Sequence, residues 1–198
     1  MYISKIKIVN FRNFKEKEII FNDGVNVIIG HNNAGKTNLI KALSLVIDNQ
    51  RTKRLEIDDF NKTTTLAELK ATSPKISISL TIKKGSDEEL DDLVTVSNWL
   101  TKLDDDYEAF LTYEFFLPEK KQEEYLRAMS EIDDQEPNAT IKAWKIFKNE
   151  FIRFYVYKIW GGDIVNQSIA DPESLQKFDF QFLDAIRDVE RDMLTGRH

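Results

Sequence analysis

The chain has 198 residues, of which 41% are apolar and 31% charged, with a net charge of −6 and no cysteine. This suits one globular domain, with two possible, and excludes a disulfide framework or a Cys-ligated metal centre. The acidic balance argues against a broad nucleic-acid surface, which needs clustered Lys and Arg, and no apolar run reaches the roughly 18 residues of a membrane span.

The opening, MYISKIKIVNF, has Ile3, Ile6, Ile8 and Phe11 in a β-type pattern of roughly period two and predicts a first strand. It lacks the continuous apolar centre of a signal peptide, so a cytoplasmic location is the default. KEKEIIFN reads as a second strand, and Asn22-Asp23-Gly24 as a turn. VNVIIG, from Val25 to Gly30, predicts a third and more buried strand, because its apolar run is nearly continuous. A helix is expected from Gly35 to about Ile47, with Leu39, Ile40, Leu43, Val46 and Ile47 on one face.

Residues 49–75 are polar and read as irregular, and the basic cluster RTKR at Arg51–Arg54 reads as a solvated loop. KISISLTIKK alternates cleanly as a strand. The segment from Ser86, a candidate cap, to Leu103 has helical spacing. YEAFLTYEFFLP predicts a strand, EKKQEEYLRAMSEI and TIKAWKIFKNEF predict helices, and IRFYVYKIWGG predicts a strand ended by glycines. DPESLQKF fits a short helix with Asp171 as cap and Pro172 at its first position. FDFQFLDAI predicts a last strand, and from Arg187 the chain is charged and helical in composition.

Gly30-His31-Asn32-Asn33-Ala34-Gly35-Lys36-Thr37 fits G-x-x-x-x-G-K-[ST] without a mismatch. The glycines let the backbone turn tightly, so that its N–H groups face phosphate oxygens. The following helix adds the positive end of its dipole. Lys36 supplies a charge for the β- and γ-phosphates, and the Thr37 hydroxyl can ligate Mg²⁺. A lysine at a helix start opposes the dipole, so its placement is better explained by a bound anion. His31, at a variable loop position, reads as exposed rather than catalytic. Asn32 and Asn38 suit either bonds within the loop or contacts to phosphate.

Residues 6–48 resemble the opening of ATPase heads of the RecF/SMC branch of the ABC superfamily. Asn10-Phe11-Arg12, Asn32 and Asn38 carry the likeness. Within that branch the sequence is most similar to the OLD (overcoming lysogenisation defect) family and to the nuclease subunit of Gabija antiphage defence. There the likeness rests on Phe11-Arg12-Asn13-Phe14, on DDF at Asp58–Phe60, on KISISLTI, and on FQFLDAIRDVERDM. The motif-rich likeness spans residues 1–83 and 178–193, with 84–177 a family-variable elaboration.

The resemblance implies an α/β fold, the N-terminal lobe of an ABC-type P-loop NTPase head. A mixed sheet, with its N-terminal part leaning antiparallel, would wrap the phosphate-loop helix and carry an α+β elaboration. It implies ATP and Mg²⁺ as cofactors, bound by Gly30, Asn32, Asn33, Ala34, Gly35, Lys36, Thr37 and Asn38 at a head–head interface. Thr37 would sit on the metal, and Arg12 would either approach the nucleotide or remain a surface arginine. Full-length relatives carry a Toprim nuclease domain and assemble as dimers or larger, so DNA is expected as a partner of the whole protein. The alternative is a RecF/SMC-like DNA-repair scaffold without a nuclease.

Hydrolysis also needs a carboxylate that holds Mg²⁺ at a strand end, and the resemblance implies a signature motif supplied by a partner subunit. Neither is found here: LSLVID at Leu43–Asp48 lies on the wrong element, and EFFLPE ends in Pro-Glu. The expectation is a lobe that binds ATP weakly and barely turns it over. It would be either a truncated piece or one half of a split protein, completed by self-association or by a second chain carrying those motifs. Gln181 and Arg187-Asp188 occupy the region where related heads sense metal and γ-phosphate, but read more simply as a salt-bridge pattern. The acidic runs lack EF-hand spacing and read as solvated surface. With only two histidines, a His-based metal site or triad is nearly excluded. Phe151, Phe154, Tyr155, Tyr157 and Trp160 read as core and strand aromatics rather than a base-stacking platform.

Overall fold

The computed structural model describes residues 1–31, 34–48, 52–86, 90–102, 107–162, 168–178 and 181. The strands are β1 (Tyr2–Phe11), β2 (Phe14–Ile20), β3 (Ile76–Lys83), β4 (Leu100–Lys102), β5 (Glu108–Phe116), β6 (Val156–Gly161) and β7 (Ser168–Ile169). They form one sheet in the order β2-β1-β3-β5-β6-β7, with β4 also on β5, and every pairing is antiparallel. The helices are α1 (Lys36–Ile47), α2 (Leu66–Ala71), α3 (Leu90–Val96), α4 (Gln122–Ser130), α5 (Ala139–Ile146) and α6 (Pro172–Gln176). The expected α/β class is what the chain adopts, but the sheet, expected to be mixed, is antiparallel throughout the described strands.

The period-two stretches decide which sheet face is buried. Ile6 and Ile8 of β1, Ile76, Ile78, Leu80 and Ile82 of β3, and Leu111, Tyr113 and Phe115 of β5 are buried. Helix α1 packs on β1, β3 and β5, and α2, α4 and α5 pack together. The intervening residues carry exposed ion pairs, such as Lys7 with Glu16 and Lys83 with Glu108. Ile3 and Ile6 differ in parity, and the register shift between Ile3 and Lys5 reconciles them. Ser4 at that shift donates its Oγ–H to the Thr81 carbonyl over 3.2 Å.

The third expected strand is not in the sheet. Val25 to Ile29 is neither strand nor helix, none of β1–β7 pairs with it, and Val25, Val27 and Ile29 are each at least 78% exposed. The nearly continuous apolar run predicts a buried strand, but such burial needs strands on its flanks, and among the described residues none pairs with it. Three other readings also change. The stretch 49–75 is not wholly irregular, because Thr65 and Glu68 close a capping box on α2. The helix expected after Ser86 ends at Val96, and Leu100–Lys102 is β4. TIKAWKIFKNEF does not end as α-helix but continues as a π turn over Phe147–Phe151. Helix α6 forms as expected, with Asp171 accepting from the Ser174 N–H over 2.7 Å. The strand and helix expected over 179–193, Gln181 apart, lie outside the described residues, as do Arg187 and Asp188.

Candidate phosphate-binding site

The end of the exposed segment 25–30 delivers Gly30 to the start of α1. Gly35, the residue before the helix, is left-handed with φ 96°. That conformation favours glycine, and a Cβ there would lie 2.5 Å from Asn13 Nδ2 and 2.9 Å from Phe14 Cζ. No side chain caps the helix at Gly35, and no acidic residue lies in its first turn. The first intrahelical bond closes from Leu39 N–H to the Gly35 carbonyl over 2.8 Å. The amides ahead of it are thus the orphan donors of a helix start, aimed where an anion is stabilised.

Lys36 folds over the loop and donates its ammonium to the carbonyls of Gly30 over 2.5 Å and His31 over 2.8 Å. The loop is further closed by Ala34 N–H on the His31 carbonyl at 3.1 Å. Thr37 is exposed in the first helical turn, and so is His31 in the loop. Asn32 and Asn33 lie outside the described residues. An uncapped helix start, a left-handed glycine and a lysine held over the loop form a donor set that fits a polyphosphate. Among the described residues no group of His, Asp and Glu could hold a metal by itself.

Arg12 lies beside this turn rather than free on the surface. Its Nε and Nη2 donate to Asp59 Oδ1 at 2.9 and 2.8 Å, and its Nη1 donates to Asn38 Oδ1 at 3.0 Å. Asn38 passes the contact on, its Nδ2 donating to Asn13 Oδ1 over 2.8 Å. The partners of Asn38 are thus Arg12 and Asn13, outside the phosphate loop. Asp59, Asn13 and Asn61 were not singled out for this site by sequence reasoning. The signal available for Asp59 was its place in the DDF stretch.

Lys53 departs from the solvated reading of RTKR. It is only 7% exposed and donates its ammonium to the carbonyls of Leu45 and Val46, at 3.0 and 3.2 Å. These carbonyls end α1, where the helix dipole favours a cation. Burial holds the Lys53 pKa down to about 8, and the Asp48 carboxylate offsets this only in part. The ordinary value is 10.5, so between about pH 8 and 10.5 the unfolded chain keeps a proton that the folded chain has lost. Stability from this group therefore rises with pH across that window, and the full cost of the buried charge remains below it. A Lys53→Met variant should lack the rise, which urea unfolding midpoints of both proteins across the same window would reveal.

The antiparallel sheet, the helix it cradles and the phosphate loop at that helix's start are consistent with a fragment of a P-loop nucleoside-triphosphatase fold. Residues 1–171 match the model of the AAA ATPase domain, and the chain belongs to that family. It is 42% identical over 57 residues to a DNA double-strand break repair Rad50 ATPase from Thermoplasma acidophilum, covering 28% of this chain and 6% of that protein. It is 38% identical over 85 residues to a DNA replication and repair protein RecF from Oceanobacillus iheyensis, covering 41% and 23%. A RecF from Bacillus thuringiensis is 54% identical over 43 residues, covering 22% and 12%. The chain thus spans less than a quarter of the curated relatives it matches. Among the described residues no helix is long and apolar enough to cross a membrane.

Proposed function

We propose that this chain is the ATP- and Mg²⁺-binding lobe of a DNA-processing ATPase. The observation that carries the reading is the uncapped start of α1, where left-handed Gly35 and the inward-folded Lys36 meet. Gly30, Asn32, Asn33, Ala34 and Gly35 supply loop amides to the phosphates, and Lys36 trades its loop carbonyls for phosphate oxygens. Thr37 holds Mg²⁺, while Arg12 and Asn38 flank the first turn. The carboxylate and signature groups needed for hydrolysis come from another segment or a second chain. The bare, largely apolar stretch from Val25 to Ile29 supports this, since a neighbouring strand would cover it.

The FRNF, DDF and terminal RD stretches favour an OLD-like ATPase coupled to a nuclease, acting in DNA processing or antiphage defence. The second reading is a repair scaffold that uses ATP to dimerise, and its DNA-repair part is supported by the names of the matched relatives. A carboxylate-rich nuclease segment encoded beside this one would select the first, and its absence the second.

Titration with a fluorescent ATP analogue tests the site. Wild-type protein should bind it in Mg²⁺ with little turnover, and Lys36→Ala should lower affinity at least tenfold, since hydrogen bonds from a charged group are typically worth that much or more. Unchanged affinity in Lys36→Ala would refute the site, and brisk hydrolysis by the isolated chain would refute the shared-site reading.

A further inference from the structure

The hairpin turn joining β1 to β2 is built under strain. Asn10 and Arg12 are both left-handed, with φ 58° and 51°, although neither is glycine. Such conformations persist where the surroundings over-determine them, and they gather at functional sites. The surroundings here are the segment Asp59–Asn61. Arg12 N–H donates to the Asp59 carbonyl over 2.7 Å, and Asn61 N–H to the Asn10 carbonyl over 3.2 Å. Phe11 and Phe60 form a bridge between the two segments. Asn61, only 3% exposed, donates its amide to the Arg12 carbonyl over 2.7 Å. Backbone and side chain of Arg12 are thus gripped by one short stretch.

The result is a continuous chain of contacts into the phosphate loop. Asp59 Oδ1 takes two nitrogens of Arg12, a third reaches Asn38 in the first turn of α1, and Asn38 holds Asn13. Asn13 in turn lies against Gly35, where a Cβ would strike its amide. The other carboxylate oxygen of Asp59 accepts the Glu56 N–H at 3.0 Å, which fixes the carboxylate itself. A guanidinium held at three nitrogens has its plane set, and charge-assisted bonds are the stronger kind.

We propose that Asp59 is a positioning residue of the phosphate site. It seats the Arg12 guanidinium against Asn38 and so fixes the direction in which Arg12 and the first turn of α1 face a bound phosphate. Asp59 itself touches no ligand and acts through Arg12. This inference rests on the ATP-binding reading above.

A double-mutant cycle on the intact chain tests it, with the fluorescent ATP analogue in Mg²⁺ as probe. Asp59→Asn retains an oxygen for the Glu56 amide but loses the carboxylate charge. Asp59→Asn and Arg12→Ala should each weaken binding about tenfold, and the double variant should be no weaker than the worse single one. Independent losses that multiply to about a hundredfold would overturn the proposal, as would unchanged affinity in Asp59→Asn. If thermal unfolding shows Asp59→Asn to be unfolded, Asp59→Ser, which also removes the charge, takes its place in the same cycle with the same two outcomes. Failure of the wild-type protein to bind the probe would instead overturn the ATP-binding reading, and this inference with it.

Discussion

Gly35→Ala is expected to abolish detectable nucleotide binding while leaving the fold in place. The backbone at Gly35 is left-handed, which costs an L-residue roughly 1–2 kcal/mol. The added methyl would also sit 2.5 Å from Asn13 Nδ2 and 2.9 Å from the Phe14 ring. The amide of Asn13 can swing away, but it then releases Asn38. Phe14 is 9% exposed and has less room to yield. The cheapest relaxation therefore moves the start of α1, whose amides and Lys36 form the anion site. Isothermal titration with ATP should show no heat of binding, while the urea midpoint falls by an amount equivalent to about 1–3 kcal/mol. Retained binding would mean that the loop does not need this geometry.

What the sequence revealed, and what it hid, follows from how local each signal is. Alternation in KISISLTIKK is a property of that stretch alone, and it forms β3 with the expected face inward. Asp171-Pro172 encodes the start of α6 through one side-chain bond and one fixed φ. The phosphate loop was legible for the same reason, since its glycines, lysine and threonine are contiguous. The strand state of Val25–Ile29 is not local, because only neighbours on its flanks can pair its backbone. Lys53 reads as one more charge in a basic loop, although the end of α1 that it caps lies only seven and eight residues before it. Asp59 is 47 residues from Arg12, and no periodicity links them. Even the missed helix α2 had a local mark, the Thr65–Glu68 box, hidden in a polar stretch.

The second large effect concerns the core beneath the same segment. Phe60 is fully buried between Asp59 and Asn61, whose bonds grip Arg12. Its ring meets Phe147 and Tyr155 edge-on, with centroids 5.1 and 5.7 Å away, and lies 6.0 Å from Phe115 and 6.3 Å from Trp144. These rings come from β5, from α5 and the π turn that follows it, and from the residue before β6, so Phe60 joins the sheet to its helical layer. Tyr155 is held in turn by its hydroxyl, which donates to the Pro74 carbonyl over 2.7 Å. Surroundings tied at that many points collapse poorly into a void, which puts the loss at the upper end for a phenylalanine truncation. Phe60→Ala should cost about 3–5 kcal/mol of stability, and Phe60→Leu, which fills most of the space, clearly less. Because the same segment seats Arg12, Phe60→Ala should also weaken ATP binding at temperatures where the protein is still folded. Phe60→Leu should leave binding near normal. Denaturant unfolding and nucleotide titration on both variants separate the two effects. A stability loss below about 1 kcal/mol for Phe60→Ala would mean that the helical layer does not depend on this ring.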